Sequence, residues 1–163
     1  MGIGAELFLR GLYDYQTAAW LLEHSLQDDP SDVYRGNDSR IAELMRGDSE
    51  FNRVLDEVIA GISSSSRTNG VFFAKRQVDF NSDDLYYSIH GCNISFIGYL
   101  QPDGSWSIYC TMADRYDYTE ITTLMGEGMK ATKGTIANDM ATISSATGVI
   151  NAYNITVEFE IRR

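Results

Sequence analysis

The chain has 163 residues, of which 44% are hydrophobic and 12% aromatic. This length and composition fit a single folded domain over residues 1–163 and exclude a disordered linker. Its 23 acidic and 13 basic residues give a formal net charge of −10, which argues against nucleic-acid binding because that function needs a basic surface.

Residues 1–62 show the hydrophobic period of helices. A first helix is expected from Thr17, as N-cap, to Leu26, and a second opens at Ser39 and closes at Gly47. A third, with Ser49 as its cap, carries the clearest apolar stripe of the chain, made of Phe51, Val54, Leu55, Val58 and Ile59. We therefore predict a helical N-terminal part.

After a polar connector at residues 63–70 the hydrophobic period changes from 3.6 to 2, so residues 71–163 are expected to form a sheet. The predicted elements are strands at 71–80, 92–100, 105–113 and 153–161, and a helix near 134–147. Pro102-Asp103-Gly104 predicts a hairpin between the second and third strands. The fold class is α+β, with N-terminal helices, a mainly antiparallel sheet and one late helix.

The two cysteines, Cys92 and Cys110, fall on neighbouring predicted strands that flank the hairpin. A disulfide between them is conceivable, and reduced core thiols are the alternative. Two cysteines and two distant histidines lack the spacing of a zinc site.

Two carboxylates and two phenols are packed into residues 114–118, directly after a predicted strand. Along a continuous strand Met112, Asp114 and Tyr116 share one face and Asp117 lies on the other. If the chain turns or bulges near Tyr116, the carboxylates converge and can share a proton or hold a divalent cation that activates water. The structural alternative is that both aspartates cap the following turn while the tyrosines pack into the core.

His90 is the better placed of the two histidines for acid–base chemistry, because it precedes Gly91 in a predicted loop beside the hairpin. His24 falls on a predicted helix, where a structural role is expected. The motifs of familiar reaction classes, such as the Walker loop, the nucleophile elbow and the dinucleotide fingerprint, are absent.

Several segments together resemble one family, the C-terminal toxin modules of bacterial polymorphic secreted toxins of the Rhs type and related types. Those modules share a D-x-Y-D-F/Y motif, and the likeness covers most of the chain. The segments that carry it are residues 18–28, 80–86, 104–106, 114–118, 137–139 and 152–154. A more remote likeness, to the activity domain of the lipid II phosphodiesterase colicin M, covers only Asp114, Tyr116 and Asp117. The His-Arg pair that follows in colicin M has no counterpart at 119–133.

This resemblance implies a module of interbacterial antagonism, secreted or delivered to a target cell as part of a larger toxin and bound by a cognate immunity protein. It also implies a phosphodiesterase-like hydrolase that acts on a cell-envelope substrate. Asp114, Tyr116 and Asp117 are the expected working site, with Asp114 and Asp117 as acid–base groups or cation ligands. His90 or Asn138-Asp139 would support them.

The alternative hypothesis is a non-catalytic immunity or adaptor protein whose acidic surface binds a basic toxin partner. A third, membrane perturbation by the helical part, ranks last because no apolar run approaches the roughly 18 residues of a transmembrane segment. The N-terminus lacks the basic region of a signal peptide, so an export signal is expected elsewhere or on a longer parent chain.

Overall fold

The computed structural model describes residues 15–116 and 151–163. Its helices are α1 (Gln16–Ser25), α2 (Arg40–Gly47), α3 (Ser49–Ala60), α4 (Ser64–Asn69) and α5 (Asp83–Ser88). Its strands are β1 (Val33–Arg35), β2 (Val71–Asp79), β3 (Gly91–Leu100), β4 (Trp106–Tyr116) and β5 (Tyr153–Arg162). The predicted helix near 134–147 lies outside the described residues.

The five strands form one mixed sheet in the order β1-β5-β4-β3-β2. All neighbouring pairs are antiparallel except β1 with β5, which are parallel. The β3–β4 hairpin turns at Gly104, whose φ of 84° needs a residue without a side chain. The predicted α+β class and mainly antiparallel sheet are therefore confirmed.

Helices cover one face of the sheet, which we call the covered face, and the opposite face is the open face. Phe51 of α3 packs against Phe96 of β3 and Phe159 of β5, with ring centroids 6.1 and 5.5 Å apart. The predicted stripe of α3 is correct, since its first four residues are buried. On β5 the expected alternation also holds, with Tyr153, Ile155, Val157 and Phe159 facing the core.

Two predicted helix starts are wrong, because contacts from distant parts of the chain decide them. Asp48, not Ser49, caps α3. Helix α1 begins at Gln16 rather than after a Thr17 cap, and its first amides donate to the carboxylate of Asp84. The cap at Ser39 is confirmed, with its hydroxyl 3.3 Å from the Ala42 amide nitrogen.

Two short elements were not predicted. The polar connector contains helix α4, whose cap is Ser63 and which ends at Gly70, a residue in the left-handed conformation. Strand β1 has only three residues and pairs with β5 at the edge of the sheet. Its position matters for function, because it brings Arg35 to the covered face.

Candidate active site

Strand β4 presents Asp114 and Tyr116 on the covered face, as predicted. Met112 and Tyr116 are buried, Asp114 is half-buried, and Arg115 between them is exposed. Pairing with β5 is regular through Tyr116, which lies opposite Tyr153. The strand therefore has no bulge up to Tyr116, and the convergence of Asp114 with Asp117, which lies outside the described residues, stays a prediction.

The carboxylate of Asp114 acts on Cys92 of the neighbouring strand. Ile94 pairs with Met112 across the antiparallel strands β3 and β4. Cys92, two residues before Ile94, and Asp114, two residues after Met112, therefore lie at the same end of this pair. Burial raises the pKa of the Cys92 thiol, and the negative charges of Asp114 and Asp79 raise it further. Cys92 is consequently a protonated, free thiol and not a nucleophile.

Tyr116 is held by an aromatic ladder that crosses from the sheet to helix α1. Its ring stacks on Tyr153 with centroids 5.1 Å apart, and His24 meets Tyr153 edge-on at 4.7 Å. Trp20 then stacks on His24 at 5.4 Å. We call Tyr116, Tyr153, His24 and Trp20 the aromatic ladder; such contacts fix ring orientations as well as adding stability.

Two members of the ladder, Tyr153 and His24, make hydrogen bonds to backbone carbonyls. The Tyr153 hydroxyl donates to the Leu21 carbonyl at 2.9 Å. Burial raises the pKa of Tyr153, Tyr116 raises it further and the positive charge of Arg35 lowers it. His24 Nε2 donates to the Ser31 carbonyl oxygen at 2.8 Å, which fixes the orientation of the His24 ring.

His90 lies at the same end of the sheet as Tyr116, directly before β3. Its φ of 60° places it in the left-handed region, which is uncommon for a residue with a side chain. Its amide donates to the Leu85 carbonyl and its own carbonyl accepts from the Phe80 amide. Its ring meets Tyr86 edge-on, 4.7 Å away, and its Nδ1 atom is buried with no hydrogen-bond partner among the described residues.

The described residues contain no group of three or more histidine, cysteine, aspartate or glutamate side chains placed to hold a metal ion. A cation site shared by Asp114 and Asp117 is not tested by that finding, because Asp117 is not among these residues. Two other carboxylates, Asp48 and Asp84, are buried. They accept backbone amides and therefore serve the fold.

The open face carries an apolar surface that the sequence analysis also missed. Its members, here called the outer aromatic patch, are Val71, Phe73, Ile97, Tyr99 and Tyr109, with Phe73 the most exposed at 69%. Cross-strand pairing makes them contiguous, and the rings of Tyr99 and Tyr109 are 6.0 Å apart. The alternation of these strands was the signal that could have revealed the patch.

Comparison with known proteins gives no match: no family model, no curated protein and no solved structure is similar to this chain. In the parts of the chain that the structure describes, no helix is both long and apolar enough to cross a membrane. Functional argument therefore depends on the site itself.

Proposed function

We propose that this chain is a toxin module of bacterial antagonism that hydrolyses a cell-envelope substrate, with Asp114 as its acid–base group. The observation that carries the proposal is the position of Asp114, a half-buried carboxylate on the covered face at the end of β4. A carboxylate that is partly withdrawn from water and still accessible is typical of acid–base sites.

The surroundings of Asp114 support that role. The thiol of Cys92 remains protonated, so it adds no second negative charge beside the carboxylate. Tyr116 lies two residues further on the same face, and its ring orientation is fixed by Tyr153. His90, whose buried Nδ1 has no hydrogen-bond partner in the described part of the chain, is at the same end of the sheet and is assigned a supporting role.

In the proposed reaction Asp114 accepts a proton from water as the water oxygen attacks the phosphorus of a phosphodiester. The bond from phosphorus to the leaving oxygen breaks, and Asp117, the second carboxylate of the pair, gives that oxygen a proton. If the site takes a divalent cation, these two aspartates are its carboxylate ligands, and the cation lowers the pKa of the bound water. Tyr116, which is buried, has a positioning role beside Asp114 and does not contact the substrate. The acidity of the chain favours an envelope substrate over nucleic acid, because a net charge of −10 is unfavourable for binding to phosphate backbones.

The test is growth of a bacterial host that expresses the chain with and without a periplasmic export signal. Killing is expected only with export, and it is expected to be lost in Asp114→Asn and in Asp117→Ala while circular dichroism stays unchanged. Asp29→Asn is the matched control, because Asp29 is an exposed aspartate in the turn after α1. Killing that survives Asp114→Asn, or the absence of killing in every form, contradicts the proposal.

The outer aromatic patch favours a second candidate function, that of an acidic immunity or adaptor protein. Its neighbours on β5, Glu158 and Glu160, are exposed on the same face, so the surface combines apolar area with negative charge. A basic toxin would be complementary to it.

This second candidate predicts that the chain is harmless in both compartments and binds the product of an adjacent gene. Calorimetry with that purified protein is expected to show binding that Phe73→Ser weakens at least about tenfold, as for a central apolar contact. Gln77→Ser is the control, since Gln77 is exposed on the same strand and the same face. Equal effects of both substitutions would exclude the patch as the interface.

A further inference from the structure

A cleft of about 600 Å³ opens between α1, β1 and the start of α2. Apolar side chains form part of its wall, among them Trp20, Ile41 and Ile155, and two cations, Arg35 and Arg40, also line it. This volume lies within the range of small-molecule sites, about 300–1,000 Å³. The cleft therefore combines room for a ligand with a local positive charge in a chain of net charge −10.

Arg35 is held in the cleft by an aromatic ring and a backbone carbonyl. Its guanidinium lies 4.3 Å from the centroid of the Trp20 ring, and one N–H donates to the Tyr34 carbonyl at 2.9 Å. Among the described residues no acidic side chain is within ion-pairing distance of it, although acidic residues outnumber basic ones in the chain by 23 to 13. The planar fork of Arg35 thus keeps donors available for an oxyanion.

Arg40, the first residue of α2, is also incompletely paired. Its guanidinium nitrogen is 3.7 Å from Asp84 Oδ2, which is beyond hydrogen-bond distance. The two oxygens of Asp84 already accept the amides of Thr17 and Ala18, at 3.1 and 2.9 Å. Half of its side chain is exposed, so Arg40 can contact a ligand in the cleft while it stays next to Asp84.

A third polar group in the wall has an unfilled hydrogen bond. Thr17 lines the cleft and is only 8% exposed, and its Oγ1 atom has no partner among the described residues. A buried hydroxyl without a partner costs free energy. Because Oγ1 is itself buried, a ligand in the cleft reaches it only after the Thr17 side chain rotates. This observation is independent of the two arginines.

We infer that the cleft binds a small organic oxyanion with an apolar body. The carboxylate or phosphate lies between Arg35 and Arg40, and the apolar body packs against Trp20 and Ile41. Two donors of a guanidinium match two oxygens of either anion. This binding site does not depend on the proposed hydrolase activity, because it uses none of the residues assigned to that reaction.

The inference is tested by isothermal titration calorimetry on the full chain with phenylacetate, phenyl phosphate and the neutral phenylacetamide. At least one anion is expected to bind, and the amide at least about tenfold more weakly, since charge-assisted hydrogen bonds are about twice as strong as neutral ones. The two anions separate a carboxylate ligand from a phosphate ester. Absence of binding of both anions at millimolar concentration, or equal binding of the amide, overturns the inference.

Two substitutions at Arg35 and a matched control identify the site. Arg35→Gln is expected to weaken binding of the anion at least about tenfold, and Arg35→Lys by less, because it retains the charge without the fork. Arg76→Gln is the control, since Arg76 likewise donates one guanidinium N–H to the preceding carbonyl at 2.9 Å but lies away from the cleft. Arg40→Gln provides a second test if Arg35→Gln does not fold, and unchanged affinity in a folded variant of either arginine refutes the assignment.

Discussion

The carboxylate of Asp48 links two distant parts of the chain, and its removal is the sharpest test of how this fold is held together. Its Oδ1 accepts the amides of Glu50 and Phe51, both at 3.0 Å, and so caps helix α3. Its Oδ2 accepts the amides of Asn81 and Ser82, at 2.9 and 2.7 Å. This side chain is only 1% exposed, and its hydrogen bonds connect the start of α3 to the loop between β2 and α5.

Asp48→Ala removes the acceptor of four amides at once. Loss of an N-cap costs about 0.5–2 kcal/mol, and each buried donor left without a partner costs about 1–3 kcal/mol. Water reaches part of this loop, because Asn81 is exposed, so the four costs do not add in full. We expect the free energy of unfolding to fall by about 3–5 kcal/mol, a large share of the roughly 5–15 kcal/mol of a typical domain.

The assay is urea unfolding followed by far-UV circular dichroism, with Ser39→Ala as the control. The Ser39 hydroxyl accepts one amide, that of Ala42, so its removal is expected to cost about 1 kcal/mol. The dependence of unfolding free energy on urea should stay the same in both variants if each acts on the folded state. An Asp48→Ala cost no larger than that of Ser39→Ala would refute the linking role of this carboxylate.

Three further predictions concern packing and protonation. Gly98→Ala places a Cβ 2.0 Å from the buried Phe72 ring, so urea unfolding should show that the free energy of unfolding falls by about 1–3 kcal/mol. The control is Gly91→Ala, whose Cβ meets only side chains that can move aside, and it should cost less. Burial raises the pKa of Cys110 to about 12, and a disulfide reagent at about pH 8 is expected to titrate it only after unfolding; rapid reaction of the native protein would contradict the burial. Folding raises the pKa of Tyr153. The free energy of unfolding should therefore be unaffected by ionisation of this residue below pH about 10, the pKa of tyrosine in the unfolded chain, and should fall above it. In thermal melts at a series of pH values, Tyr153→Phe should make that fall smaller.

The elements that the sequence predicts well are those whose cause is local. The stripe through Phe51 and Val54 needs only the helical period, and the alternation that puts Met112, Asp114 and Tyr116 on one face needs only the period of a strand. The turn at Gly104 follows likewise from its own residue types. For the candidate site, the sequence therefore predicted that Asp114 and Tyr116 lie on the same face of the strand.

The features that were missed depend on partners far away in the chain. Asp48 and Ser49 are both good cap residues, and the amides of a loop more than 30 residues later select the aspartate. Strand β1 has three residues and exists only because β5 pairs with it. The aromatic ladder joins Trp20 to Tyr153 across more than 130 residues, and no local pattern encodes that contact.

The two faces of the sheet allow the two candidate functions to be separated by mutation. Asp114 lies on the covered face and Phe73 on the open face, with one strand, β3, between their strands. Substitutions at residues that contact no common residue act independently. Asp114→Asn should therefore leave protein binding by the outer aromatic patch unchanged, and Phe73→Ser should leave killing unchanged. If each single variant loses both killing and protein binding while its fold stays intact, the two functions are coupled. Assigning them to separate faces of the sheet would then be wrong.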